Sequence, residues 1–88
     1  MEKGLVVIQL KEQKNHISFA KNLWKLYNHF YISTIHLYSD NGIVKIVIIT
    51  SSNFGVSAVQ REILGTFKAE IESIETMLLM DEIFPSQG

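Results

Sequence analysis

Histidine is the side chain that most readily changes charge near neutral pH, and this chain of 88 residues holds three of them, His16, His29 and His36. No cysteine accompanies them, which excludes thiolate metal sites, disulfides and cysteine nucleophiles. His36 stands out because Ile32 to Tyr38 alternates in type. Ile35 and Leu37 fall on one side of a strand, and Thr34, His36 and Tyr38 on the other. Thr34, His36 and Tyr38 are therefore the candidate ligand-binding residues, a hydrogen-bonding row suited to a small effector or a subunit contact. His16 and His29 flank a helical segment; a histidine near a helix C-terminus favours the dipole, and both read as structural. No catalytic residue is expected, because Ser33, Ser39, Ser51 and Ser52 lack the context of a nucleophile with its base. Gly4, Gly42, Gly55, Gly65 and Gly88 are scattered and make no phosphate loop. Glu70, Glu72, Glu75, Asp81 and Glu82 lack the spacing of a calcium loop and read as a solvated acidic surface. The sequence thus predicts no resident metal and no cofactor.

The elements that must position these residues follow from periodicity. Leu5 to Leu10 is short and rich in β-branched residues, bounded by Gly4 and the polar run Lys11 to Asn15, and reads as a buried strand. Ile17, Ala20, Leu23, Tyr27 and Phe30 recur every three or four residues, an amphipathic helix started by Asn15 or Ser18 and widened by Trp24. Phe19, Trp24, Phe30 and Tyr31 are expected to pack in the core and not to form an RNA-stacking platform. Asn41-Gly42 supplies the positive φ angles of a tight hairpin turn and joins the strand ending at Tyr38 to a second one, Ile43 to Thr50. Ser51 to Gly55 is turn chemistry, after which Ser57 caps a helix with Val59, Ile63, Leu64 and Phe67 inside. The remainder reads in two ways. Met77 to Phe84, stopped by Pro85, is either a last strand, or the helix runs on through Phe67, Ile71, Ile74 and Leu78. The strand is favoured, since without it Leu5 to Leu10 lacks a flanking partner.

The predicted order is βαββαβ, a ferredoxin-like α+β fold: a four-stranded antiparallel sheet with two helices on one face. Residues 1–88 read as one domain with its ordered core at about 4–84, short of the size at which chains split. In this topology the first and third strands are central, and both are apolar on both faces. Val6, Ile8 and Leu10 oppose Leu5 and Val7; Val44, Ile46 and Ile48 oppose Ile43, Val47 and Ile49. Two helices cover one face only, so a second subunit is expected on the other, in a dimer or tetramer formed through the sheet.

Charge and hydropathy narrow the partners further. The formal net charge of −1 gives no electrostatic footprint for nucleic acid or an anionic membrane. Apolar runs such as Leu5 to Ile8 and Ile46 to Ile49 are far below the ~20 residues of a membrane span. Glu2 and the polar Lys11 to Asn15 fit a secretory signal poorly, and a cytoplasmic location is expected. Lysines concentrate before residue 46 and acids after it, which serves either solvated helix faces or attraction between subunits.

Ser33-Thr34-Ile35-His36-Leu37-Tyr38, followed by Asp40-Asn41-Gly42 and an aliphatic strand, resembles the ACT-like C-terminal regulatory domain of the nickel-responsive repressors. That family carries Ser-Thr-Leu-His-x-His, then Asp-Asn-Cys, then an aliphatic strand. The resemblance covers about residues 4–80. It implies an oligomeric regulatory domain, and its departures bear on the metal. The family holds nickel with two strand histidines, the cysteine and a helix histidine from a neighbouring subunit, and only His36 stands at a matching position. Tyr38 replaces the second histidine, Gly42 the cysteine, and His29 is displaced from the helix position. The family's ribbon-helix-helix DNA-binding arm has no counterpart. Glu75 to Ile83 is similar to the closing strand of the Lrp/AsnC-type RAM domains, without their Gly-x-Tyr-Asp hairpin. Ile35-His36 with Asp40-Asn41-Gly42 is also similar to the chaperone that binds the twin-arginine signal of periplasmic nitrate reductase, whose tail carries Tyr-His where Asp81-Glu82 stands.

These readings lead to a stand-alone ACT-like regulatory or accessory domain, not an enzyme, that oligomerises and binds a small effector or protein partner at the subunit interface. The alternative is a chaperone for a redox enzyme's twin-arginine signal peptide. One imidazole cannot supply the nitrogen and sulfur ligands of a tight nickel site. Calorimetric titration with nickel at about pH 7.5 should therefore show no affinity tighter than micromolar; stoichiometric tight binding lost in His36→Ala would reverse this expectation.

Overall fold

The computed structural model describes residues 3–52 and 54–79. Its elements are β1 (Lys3–Leu10), α1 (His16–Tyr27), β2 (Ile32–Asp40), β3 (Ile43–Thr50), α2 (Phe54–Phe67), a 3₁₀ turn (Lys68–Glu70) and β4 (Ile71–Leu79). The sheet order is β2-β3-β1-β4 and every neighbouring pair is antiparallel. This is the ferredoxin-like βαββαβ arrangement, with β1 and β3 central as their apolar character requires.

One face of the sheet carries the core. Val6, Ile8, Ile46 and Ile48 are fully buried beneath Leu23 of α1 and Val59 and Ile63 of α2, with Leu10, Tyr27, Ile32, Val56 and Ile71 closing the periphery. The two helices are tied together at the far side of this core. The Tyr27 hydroxyl lies 2.8 Å from Thr66 Oγ1 and 3.3 Å from the Glu62 carbonyl. Phe19 packs edge-on against Phe67 with ring centroids 5.0 Å apart. The β2–β3 hairpin closes as expected: Asn41 and Gly42 have φ of 54° and 82°, the left-handed pair of a two-residue turn between Asp40 and Ile43.

Several boundaries differ from the sequence-based expectation. In α1 it is His16, not Ile17, that turns inward, and Ile17 is 63% exposed. The buried line His16, Leu23, Tyr27 keeps helical spacing, and Ile17 lies one step of ~100° around from it. Asn15 stands at the N-cap with φ 60° and makes no side-chain capping bond; Ser18 lies inside the helix. Trp24 and Tyr31 are 44% and 54% exposed, so core packing holds for Phe19 and Phe30 but not for them. The second helix begins at Phe54, before Ser57, because Val56 must join Val59 and Ile63 on the buried stripe. Of the expected turn at Ser51 to Gly55, Asn53 lies outside the described residues and Phe54 and Gly55 are helical.

The last strand starts at Ile71, earlier than expected, and pairs along the whole of β1. The helical continuation ends at Glu70. A register shift between Gln9 and Leu10 places Leu10 opposite Ile71 and Ile8 opposite Ile74, which turns both isoleucines toward the helices. The three-residue spacing that imitated a helix is the mark of this bulge. Met80 to Pro85 lie outside the described residues. No helix among the described residues is long and apolar enough to cross a membrane.

The closest approach of helix to sheet is at Gly4, where an added Cβ would overlap Val56 Cγ2. Beside it the fully buried Thr50 hydroxyl accepts the Gly4 N–H at 3.0 Å and donates to the Ser52 carbonyl at 2.7 Å. Gly65, in the interior of α2, has open space around it. Gly4→Ala should therefore lower stability by about 2 kcal/mol through overpacking, while Gly65→Ala should raise it by about 0.5 kcal/mol through helix propensity. Urea denaturation of the two variants beside the parent checks both signs.

Candidate functional site

The side of the sheet away from the helices is uncovered in the single chain, and pairing register arranges it in three rows. Thr34, Ile49, Leu5 and Met77 form the first, from β2 across to β4. His36, Val47, Val7 and Glu75 form the second, and Tyr38, Lys45, Gln9 and Ser73 the third. The middle of the first two rows is a block of four aliphatic side chains, Leu5, Val7, Val47 and Ile49, each partly exposed. Apart from Met77 beside Leu5, hydrogen-bonding and charged groups stand around the block on the two edge strands and along the third row.

The three expected site residues therefore share one face of one edge strand, as their alternation requires. Thr34, His36 and Tyr38 are all exposed, and none makes a side-chain hydrogen bond to another described residue. A second bulge, between Ile32 and Thr34, puts Thr34 on this face while Ile32 stays in the core. Polar groups standing free on a rigid strand suit a partner's or a ligand's donors and acceptors. By themselves they assemble no proton relay, since no base or acid is held against another.

The tertiary structure also brings together what the sequence kept apart. Between α1 and the free edge of β2 runs an open cleft of about 490 Å³, lined by Ala20, Lys21, Trp24, Ser33, Thr34, Ile35 and His36. Trp24 and Lys21 were missed as site residues because their helical spacing reads as ordinary packing and solvation. The exposed indole is the one signal, visible only once the buried stripe is known to be His16, Leu23 and Tyr27. Tyr38 lies one pleat further along β2 and does not line the cleft.

The three histidines sit on separate elements. His16 is buried at the start of α1 with its Nε2 lacking a hydrogen-bond partner among the described residues, and His29 follows the helix with its ring 4.4 Å from that of Phe30. Among the described residues no three histidine, aspartate or glutamate side chains converge. At the β1–α1 turn, Gln13 completes the sheet where β1 departs: Val44 N–H donates to Gln13 Oε1 at 2.7 Å, and Gln13 Nε2 reaches the Leu10 carbonyl at 3.2 Å. That loop is thus a structural support for the open face.

No family model matches the sequence, and no curated protein matches it. Among solved structures, the chain is similar to CPII of Thiomonas intermedia K12, solved with ADP, AMP and acetate, at 12% identity over 89% of this chain and 84% of that one, with a TM-score of 0.53. It is similar to SnoaB, a cofactor-independent oxygenase from Streptomyces nogalater, at 5% identity over 90% of each chain, TM-score 0.51. It is also similar to the de novo designed protein Foldit4, at 16% identity over 89% of this chain and 97% of that one, TM-score 0.51. At such identities the likeness is one of architecture, and the fold to which it assigns the chain is the ferredoxin-like one.

Proposed function

We propose that this chain is an ACT-like regulatory or accessory domain that pairs with a second copy through its open sheet face and holds a small effector or a protein partner at the seam. The observation that carries this reading is the aliphatic block Leu5, Val7, Val47 and Ile49, partly exposed at the centre of the sheet. Each Å² of such surface withdrawn from water contributes about 25 cal/mol, and a contiguous block on a rigid sheet orders few side chains when it is covered. Thr34, His36 and Tyr38 then lie at the margin of the contact and are its ligand-facing groups. The cleft beside Trp24 and Lys21 opens on the same margin. CPII, solved with nucleotides, and SnoaB, an oxygenase, share the fold, so the fold leaves the effector's chemistry open and the site must supply it. Among the described residues no hydrogen-bonded acid and base pair supports an enzymatic role.

Sedimentation velocity at about 100 μM should show a dimer or larger species, and Val47→Asp, which places a carboxylate in the block, should give monomers or aggregates. Native mass spectrometry of the same preparation should reveal any effector that copurifies. A stable monomer at that concentration would defeat the pairing. The open face would then be free for a peptide, and binding of a twin-arginine signal peptide, read by calorimetry, becomes the decisive measurement for the chaperone alternative.

A further inference from the structure

Resting on the proposed pairing, we infer that the open face is complementary to itself about one particular two-fold axis, parallel to the strands, so that His36 of each copy meets Glu75 of the other. Two sheets that pack face to face in a symmetric dimer are related by a two-fold axis lying in the plane between them, and that axis runs along the strands, along the rows or on a diagonal.

With the axis along the strands, each row meets itself reversed: β2 lies over the partner's β4, and β3 over the partner's β1. The pairings are then Ile49 with Leu5, Val47 with Val7, Lys45 with Gln9, Tyr38 with Ser73 and His36 with Glu75. Aliphatic groups meet aliphatic groups, polar groups meet polar groups, and the imidazole meets a carboxylate. Thr34 over Met77 joins a methyl-bearing side chain to a thioether at the margin.

The other axes fail this match. An axis along the rows lays the first row over the third, so that Ile49 meets Lys45 and Leu5 meets Gln9, and it sets Glu75 against Glu75 and His36 against His36. Either diagonal axis crosses the strands near 90° and carries Glu75 or His36 onto the aliphatic pair Ile49 and Leu5, where a charge would lose its water without a partner. Within one copy His36 and Glu75 lie at opposite edges of the sheet, three strand spacings or about 14 Å apart, too far to satisfy one another. The uneven charge along the chain, basic before residue 46 and acidic after it, fits this exchange: β2 and β3 carry His36 and Lys45, and β4 carries Glu75.

The test is a charge exchange on the full chain, read by sedimentation equilibrium. His36→Glu and Glu75→Lys are both exposed substitutions, and circular dichroism confirms that each folds. His36→Glu sets two carboxylates together at each of two symmetry-related places, and Glu75→Lys takes the carboxylate from the imidazole and puts an ammonium donor against it; each alone should weaken the dimer, the first about tenfold. The double variant should return to within about twofold of the parent, and an equal mixture of the two single variants should form heterodimers in preference to either homodimer. Glu75→Lys close to the parent, with a double variant as weak as His36→Glu, would establish the axis along the rows and overturn the inference while leaving the pairing through the open face intact; a dimer indifferent to all three variants would place the contact elsewhere and overturn both. A parent that stays monomeric at about 100 μM removes the pairing and the inference with it. Because the chain has no cysteine, a second readout is direct. His36→Cys mixed with Glu75→Cys should be joined by a short bismaleimide, whereas His36→Cys alone should not, and the reverse result again establishes the other axis.

Discussion

Two helices can shield only one side of a four-stranded sheet, and in this protein the two central strands are apolar on both sides. Everything else follows from how that imbalance is handled. On the shielded side Val6, Ile8, Ile46 and Ile48 are withdrawn completely from water beneath Leu23, Val59 and Ile63, a single core that holds both helices in place. On the other side Leu5, Val7, Val47 and Ile49 shelter one another only in part. A domain of this size has no disulfide to make up the difference. Covering the open face is the route to further stability that its composition offers.

The edge strands hold what chemistry there is. β2 and β4 alternate aliphatic residues toward the core with Thr34, His36, Tyr38, Ser73 and Glu75 toward the open side, so polar groups frame an apolar centre. Both edges are bulged near one end, at Ser33 in β2 and at Glu72 in β4. A bulge increases twist and interrupts the unpaired ladder, which discourages indiscriminate edge pairing and favours a contact made through the face. The arrangement suits recognition by surface complementarity, with specificity set at the rim.

Local periodicity made much of this legible in the residues alone. Alternation from Thr34 to Tyr38 assigned Thr34, His36 and Tyr38 to one face, and Asn41-Gly42 specified the turn into the aliphatic strand that follows, because both signals depend on neighbours within a few positions. The two-sided apolar character of β1 and β3 likewise placed them at the centre and foretold an uncovered face. What remained hidden is phase and contact. Ile17 and His16 compete for one inward position, and the packing of α1 against the sheet decides it; Val56 against Gly4 sets where α2 begins.

The final segment shows the same division most clearly. Ile71 and Ile74 are spaced as in a helix, and no local rule separates that from a bulged strand; pairing with β1, some sixty residues away in sequence, settles it. The meeting of Trp24 and Lys21 with Ser33, Thr34 and His36 in one cleft, and the line that joins His36 through Val47 and Val7 to Glu75, exist only in the folded sheet. The sequence by itself determined which side chains each strand shows to either face, since that is a matter of period. Only the tertiary structure decided which of them stand side by side, since register and bulges are properties of pairs of strands and not of any one.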